Sequence, residues 1–278
     1  MAQFSPQMEP MPALKLGAVA YEPRVVTIWD GLTRWFLGQG LPVQFVLYAS
    51  YEQQVAAHLA GHIDVAWNSP LAYLQTVAGT HRRPRALAMR DSDRDMRSVI
   101  VANADSPVRT LADLNGKRVA VGAADSPQAT ILPLYLLHQA GVRVEAVCFD
   151  PQRGKHGELL DGERAAAQAL TDFEVDAACM LDSNLLLFAL EGVLPSGLPR
   201  VIAQTEPYDN RCLTVFEDAQ NAQTQHFHDL LMEMDYNDPA LRSLFDLEGL
   251  RGWKPGRTLG YEQIAAAAAT VRAQYALA

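Results

Sequence analysis

Three cysteines in 278 residues, Cys148, Cys179 and Cys212, are too few and too far apart for a disulfide framework, and none stands in a CxxC or Cys/His spacing that suits zinc. Their expected place is the core, where free cysteine is commonly found. Positive charge is also short, with 23 Lys and Arg against 32 Asp and Glu, a formal charge of -9, and the basic residues are scattered rather than gathered on one helix. Such a chain does not neutralise a phosphate backbone, which excludes nucleic acid as a partner. No apolar run reaches the roughly 18–20 residues of a membrane span, so no membrane insertion is expected, and the alanine-rich end YEQIAAAAATVRAQYALA reads as a C-terminal helix. Catalytic and cofactor signatures are missing: there is no GxSxG, no HExxH, and no Walker or dinucleotide glycine pattern, so neither cofactor nor metal is expected. The opening stretch MAQFSPQMEPMPAL has no Lys or Arg and no apolar core of the kind an export signal carries, which makes the sequence as it stands cytoplasmic.

What is present is a balanced globular composition, 49% hydrophobic and 20% charged, enough for a sizeable core in one or two domains. LKLGAVAY reads as a strand, VVTIWDGLTRWFLGQG as an amphipathic helix ending in a glycine stop, and VQFVLY as a second strand. Ser50 then caps the helix YEQQVAAHLAG, which leads to the strand IDVAW. After residue 117 the order repeats: the strand RVAVGA, Ser126 as cap, the helix QATILPLYLLHQAG that Pro133 is expected to kink or delay, and the strand VEAVCFD. A longer loop, the helix GERAAAQALTDF and the strand VDAACML follow. GHIDVAWNSPLAY (61–73) and FEVDAACMLDSNL (173–185) occupy the same place in each copy. The chain therefore reads as two similar α/β units, each a mainly parallel sheet flanked by helices.

Beyond the second unit, RVIAQT and CLTVF read as strands, DAQNAQTQHFHDLLMEMD as a helix, and a polar stretch leads to the last helix. If that tail packs on the first unit, the backbone crosses between lobes twice, near 99–103 and near 201–205, which makes a hinge. The expected division is residues 1–100 in the first lobe, 101–202 in the second, and 203–278 returning to the first.

Open parallel α/β sheets bind ligands at the carboxyl ends of their strands, where the next helices present their N-termini. Four such junctions carry capping chemistry: Ser50-Tyr51, Asn68-Ser69-Pro70, Asp125-Ser126-Pro127 and Asp182-Ser183-Asn184. Any one of them is explained by capping alone. Several on one edge of two facing units would converge free N–H groups on a cleft and favour an anionic or strongly polar ligand. Tyr21, Tyr51 and Trp67 stand at the same strand ends and could wall an organic molecule. Asp125 and Asp182 add negative charge there, and would accept from a protonated ligand or pair with Arg97 or Arg211.

Other polar residues read as structural. The loop GKHGELLDGE, with His156, Glu158 and Glu163, has the composition of a solvated charged loop. His226 and His228 are two apart on a helix, which points their rings away from each other. His58 and His62 have the i, i+4 spacing but no accompanying carboxylate motif, and are expected at the surface or as caps.

Three blocks, SYEQQVAAHLAGHIDVAWNSPLAY, RSVIVANADSPVRTLADLNGKRVAVG and YNDPALRSLFDLEGLRGWKPGRTLGY, make the chain resemble the phosphonate-binding, PhnD-like substrate-binding proteins of ABC importers over about residues 14–265. The resemblance implies the two-lobed type II periplasmic-binding-protein fold, hinge closure on a small ligand, an ABC permease as partner, a monomer, and a periplasmic location if an export signal has been removed. Carried over by position, the family's ligand residues fall on Tyr51, on Met96 in place of a second tyrosine, and on Ser126-Pro127-Gln128 in place of Ser-Thr-Ser. The family's histidine falls near Glu163 or at His156 in the loop, and its acidic residue on Asp182. Proline removes one donor and Gln128 replaces a hydroxyl, so the resemblance implies a small polar or anionic ligand rather than phosphonate itself.

A second reading is a cytoplasmic enzyme on the same fold, a menaquinone-pathway-like lyase or dehydratase, with Asp125, Asp182 or Glu163 as acid/base groups. A transcription-factor effector domain is a third, but about a dozen residues before the first strand leave no room for a helix-turn-helix.

Overall fold

The computed structural model describes residues 12–150, 154–157 and 160–275, which leaves the opening stretch and Glu158 outside the described residues. The first lobe is built on a six-stranded sheet and the second on a five-stranded one.

In the first lobe, β1 (Leu14–Val19), α1 (Arg24–Gly38), β2 (Val43–Tyr48), α2 (Tyr51–Leu59), β3 (Val65–Asn68), α3 (Pro70–Ala78) and β4 (Pro84–Arg90) run in alternation. Helix α1 buries Val25, Ile28, Trp29, Leu32 and Phe36, the spacing of one helical face. The second lobe holds β5 (Ser98–Asn103), β6 (Arg118–Ala123), α4 (Leu132–Gln139), β7 (Glu145–Asp150), α5 (Asp161–Thr171), β8 (Ala177–Leu181), α6 (Asp182–Leu190) and β9 (Pro199–Gln204). The chain then returns through β10 (Cys212–Phe216), α7 (Ala222–Glu233), α8 (Pro239–Glu248), β11 (Trp253–Pro255) and α9 (Tyr261–Gln274).

Strand order is β11-β4-β10-β3-β1-β2 in the first sheet and β7-β6-β8-β5-β9 in the second. Both sheets are mixed. The β1–β2, β1–β3, β6–β7 and β6–β8 pairs are parallel, as helical crossovers require. Antiparallel pairs enter where the chain crosses over: β10 pairs β3 and β4, and β5 pairs β8 and β9.

The crossings run over 91–97 and 205–211, displaced from the expected 99–103 and 201–205 because those stretches belong to β5 and β9, strands of the second sheet. They pair with each other: Met96 N–H donates to Tyr208 O at 2.8 Å and Tyr208 N–H to Met96 O at 2.9 Å. The last helix does not simply return to the first lobe. Tyr261, Ile264 and Ala267 of α9 share a buried cluster with Leu71 of the first lobe and Ile131 and Leu132 of the second, while Val271 joins the second lobe's core.

Each sheet is covered on both faces. Trp29 and Phe36 of α1, Phe227 of α7 and Phe245 of α8 fill one face of the first sheet, and Val19, Tyr51, Val55 and Ala72 form a small cluster with α2 and α3. Ala166, Ala167 and Leu170 of α5 cover one face of the second sheet, Leu134 and Leu137 of α4 the other. Burying a side chain such as Phe36 fully stabilises by about 1.5–3 kcal/mol. Cys179 and Cys212 are buried and Cys148 is half-buried.

Pro133 delays its helix as expected. Residues Pro127–Ile131 form a wide π turn before α4, which suits a proline that has no N–H to return to the preceding turn. His58 corrects an expectation: it is 1% exposed, because α2 presents it to the Phe216 ring at 4.4 Å between centroids. His62 is exposed, and so is His226, while His228 is half-buried and contacts Asp229.

Candidate functional site

An α-helix leaves its first N–H groups without intrahelical partners, and a serine cap satisfies one of them. At the start of α2, Ser50 Oγ accepts from Gln53 N–H at 3.4 Å. At the start of α3, Ser69 Oγ accepts from Ala72 N–H at 3.2 Å, with Pro70 in the first helical position. After β6, Ser126 Oγ accepts from Ala129 N–H at 3.1 Å. The first two junctions belong to the first lobe and the third to the second.

One short segment touches all three. Residues 154–157, Gly-Lys-His-Gly, lie between β7 and α5 of the second lobe and reach the first. Gly154 O accepts from Tyr51 N–H at 2.9 Å, and the His156 ring stacks on the Tyr51 ring, 4.6 Å between centroids with 7° between planes. His156 Nδ1 lies 2.5 Å from Ser69 Oγ, and the Lys155 ammonium donates to the carbonyl of Ala20, just past β1. On their own lobe, Gly154 N–H donates to Asp125 Oδ2 at 2.7 Å and Gln128 Nε2 to Gly157 O at 2.8 Å. A β-carbon on Gly157 would stand 2.3 Å from Ser126 Oγ, so only glycine allows that approach, and its φ of +70° favours glycine as well.

His156 is 3% exposed, which corrects the solvated-loop expectation: its ring is ordered by the stack and the serine rather than by water. Burial brings its pKa down to about 4, only partly opposed by Glu52, whose carboxylate lies 3.9 Å from Nε2. Ser69 Oγ, which accepts from Ala72 N–H, also shares a hydrogen bond with Nδ1, and so low a pKa leaves the imidazole neutral near pH 7. Burial raises the pKa of Asp125 against the pull of the Gly154 N–H, and burial lowers that of Lys155. The junction of the lobes thus combines helix-start donors, the Lys155 ammonium, and the carboxyl groups of Glu52 and Asp125.

The structure brings Tyr51, Ser69, Asp125, Ser126, Gln128 and His156 together, sets Glu163 against Gln128, and places the other candidates elsewhere. Asn68 is fully buried, accepts from Gln54 Nε2 at 2.8 Å and donates to Thr214 Oγ1 at 3.0 Å. Trp67 packs in the first core, 5.8 Å from the Trp253 ring and 5.3 Å from the Arg90 guanidinium. Tyr21 is half-buried beneath Arg211, whose guanidinium lies 5.8 Å from the ring centre. Met96 is in the first crossing. Glu163 is 3% exposed, accepts from Leu181 N–H at 2.9 Å and Asn184 Nδ2 at 2.7 Å, and also bonds the Gln128 side chain, so it too departs from the solvated loop. Asp182 accepts from Ser183 N–H at 2.7 Å, while the Arg97 guanidinium donates to Thr205 O at 3.0 Å.

Sequence reasoning passed over Glu52, Lys155 and Gly154. Glu52 had a signal, since it directly follows Tyr51; for the other two, nothing local tells a solvated loop from one seated against another lobe. Among the described residues no group of three or more His, Cys, Asp or Glu side chains is arranged to hold a metal ion, and no helix is long and apolar enough to cross a membrane.

Two mixed α/β sheets joined by paired crossings, with helix starts of both lobes meeting at one segment, define a type II solute-binding protein. The chain belongs to the family of periplasmic phosphonate substrate-binding proteins of ABC transporters, which matches residues 19–259. Among solved structures it is similar to PhnD1 from Prochlorococcus marinus (MIT 9301), in complex with methylphosphonate, with a TM-score of 0.69 and 17% identity over 94% of this chain and 98% of that one. XAC2383 from Xanthomonas citri, bound to ATP, gives a TM-score of 0.70 at 18% identity over 94% and 98%. The aliphatic sulphonate binding protein SsuA from Escherichia coli gives 0.57 at 18% over 94% and 87%. At these identities the likeness is one of fold. The family consists of binding proteins, so this chain is a solute-binding protein and the enzymatic reading is set aside.

Proposed function

We propose that this protein is a monomeric periplasmic receptor that takes one small organic anion into the cleft between its lobes and presents the closed form to an ABC permease. The observation that carries the reading is the meeting of Tyr51 and Ser69 of one lobe with Asp125, Ser126 and Gln128 of the other around residues 154–157. Helix starts offer N–H donors that suit an oxyanion. Glu52 and Asp125 beside them disfavour an inorganic dianion and favour a ligand that brings its own ammonium or hydroxyl donor. The preferred solute is therefore a zwitterionic or singly charged phosphonate or sulfonate.

Calorimetric titration with 2-aminoethylphosphonate, taurine, methylphosphonate and inorganic phosphate tests this. The expected order places an amino compound first and phosphate last. Tightest binding of phosphate, or no binding of any of the four, contradicts the reading.

A further inference from the structure

We infer that residues 154–157 are an internal occupant of the cleft, which draws the lobes together without solute and which a solute must displace. The inference rests on the reading of the cleft as the ligand site and concerns how that site is regulated.

The argument lies in which atoms the segment engages. Tyr51 N–H is the first amide of α2, one of the groups a helix leaves for an external acceptor, and Gly154 O takes it. Ser69 stands at the start of α3, where a bound oxyanion would seek a hydroxyl, and His156 Nδ1 shares a hydrogen bond with that hydroxyl at 2.5 Å. The Tyr51 ring, suited to stack on an organic ligand, is covered by the imidazole. Each contact crosses from the second lobe to the first, and each replaces one that a solute would make.

The backbone is shaped to this seating. Gly154, His156 and Gly157 all have positive φ, at 77°, 50° and 70°. For histidine the left-handed region is uncommon and persists where surrounding contacts hold it. A β-carbon on Gly154 would come within 2.8 Å of Ser50 Cβ in the first lobe, so glycine permits the close seat there. A segment that merely crossed open solvent would need neither the glycine contacts nor the buried imidazole.

An internal competitor lowers apparent affinity by the fraction of time the cleft is free, so a segment seated nine-tenths of the time weakens solute binding about tenfold. Two variants unseat it at different atoms: His156→Ala removes the imidazole, and Gly154→Ala keeps it but forces a clash and a strained φ. Small-angle scattering of the ligand-free protein and calorimetric titration with 2-aminoethylphosphonate are the readouts. The expected result is a more open ligand-free particle in both variants, with about tenfold tighter binding than the wild type. Scattering unchanged in both variants, or weaker binding in both, overturns the inference. Opening without binding of any of the four titrants leaves the occupant standing and sinks the proposed solute class instead.

Discussion

The two lobes meet the same local problem, a strand that ends at a helix start, and settle it differently. In the first lobe, Asn68-Ser69-Pro70 ends β3 with a serine cap, and the Ser69 hydroxyl still reaches a group of the other lobe, His156. In the second, β8 ends at Leu181, no side chain caps α6 from the N-cap position, and the buried carboxyl group of Glu163 takes the Leu181 N–H and the Asn184 amide instead. One lobe turns its helix start toward the other lobe; the second closes its own with a buried carboxyl group. Duplicated topology fixes where a helix start lies, and the residues around it decide whether it is a binding group or a structural one.

That contrast is broken most strongly at Glu163. Glu163→Ala strands the buried Leu181 amide and the side chains of Asn184 and Gln128, and leaves a cavity, so a loss of about 3 kcal/mol is expected in chemical denaturation. Glu163→Gln retains an acceptor oxygen and should lose clearly less. Equal losses in the two variants would show that charge, rather than an acceptor, holds the start of α6.

Acid sharpens the comparison from the other lobe. Burial, with the charge of Arg82, brings the His58 pKa down to about 4. An unfolded histidine titrates near 6.5, so between about pH 6.5 and 4 the unfolded chain binds protons that the folded chain refuses. Stability is therefore full above that window and falls as pH drops through it, by on the order of 3 kcal/mol for His58 once protonation is complete. His156 contributes in the same window and the same direction. His58→Leu should flatten the acid limb of a stability-against-pH curve, and an unchanged limb would place the acid sensitivity elsewhere.

Smaller effects come from the caps. Ser69→Ala removes the cap of α3, costs about 1 kcal/mol and also frees His156. Asp182→Asn should change stability by no more than about 0.5 kcal/mol, since this half-exposed side chain bonds the adjacent amide of its own helix start. A thermal melt that ranks Asp182→Asn above Ser69→Ala would invert the account of which helix start is in use.

Much of this is legible in the sequence alone. Apolar spacing in α1, the glycine stop at its end, the delay at Pro133 and the three serine caps are local properties, and local chemistry sets them. The crossings were misplaced because β5 and β9 read the same whether they lead out of a lobe or complete its sheet. Burial of His58 and Glu163 was hidden for a related reason, since a polar residue enters the interior through partners distant in sequence, here Phe216 for one and Leu181 with Asn184 for the other. His156 is the clearest case. Its loop has the composition of a solvated turn, and only the opposing lobe supplies the serine and tyrosine that bury it.

The central claim, that helix starts from both lobes form one solute cleft, is tested most directly by amide hydrogen exchange with and without saturating 2-aminoethylphosphonate. The account predicts slowed exchange at the start of α2, the start of α3 and the turn at 126–130 together. Slowing confined to one lobe, or none at any of the three while calorimetry reports binding, would place the solute elsewhere and contradict it.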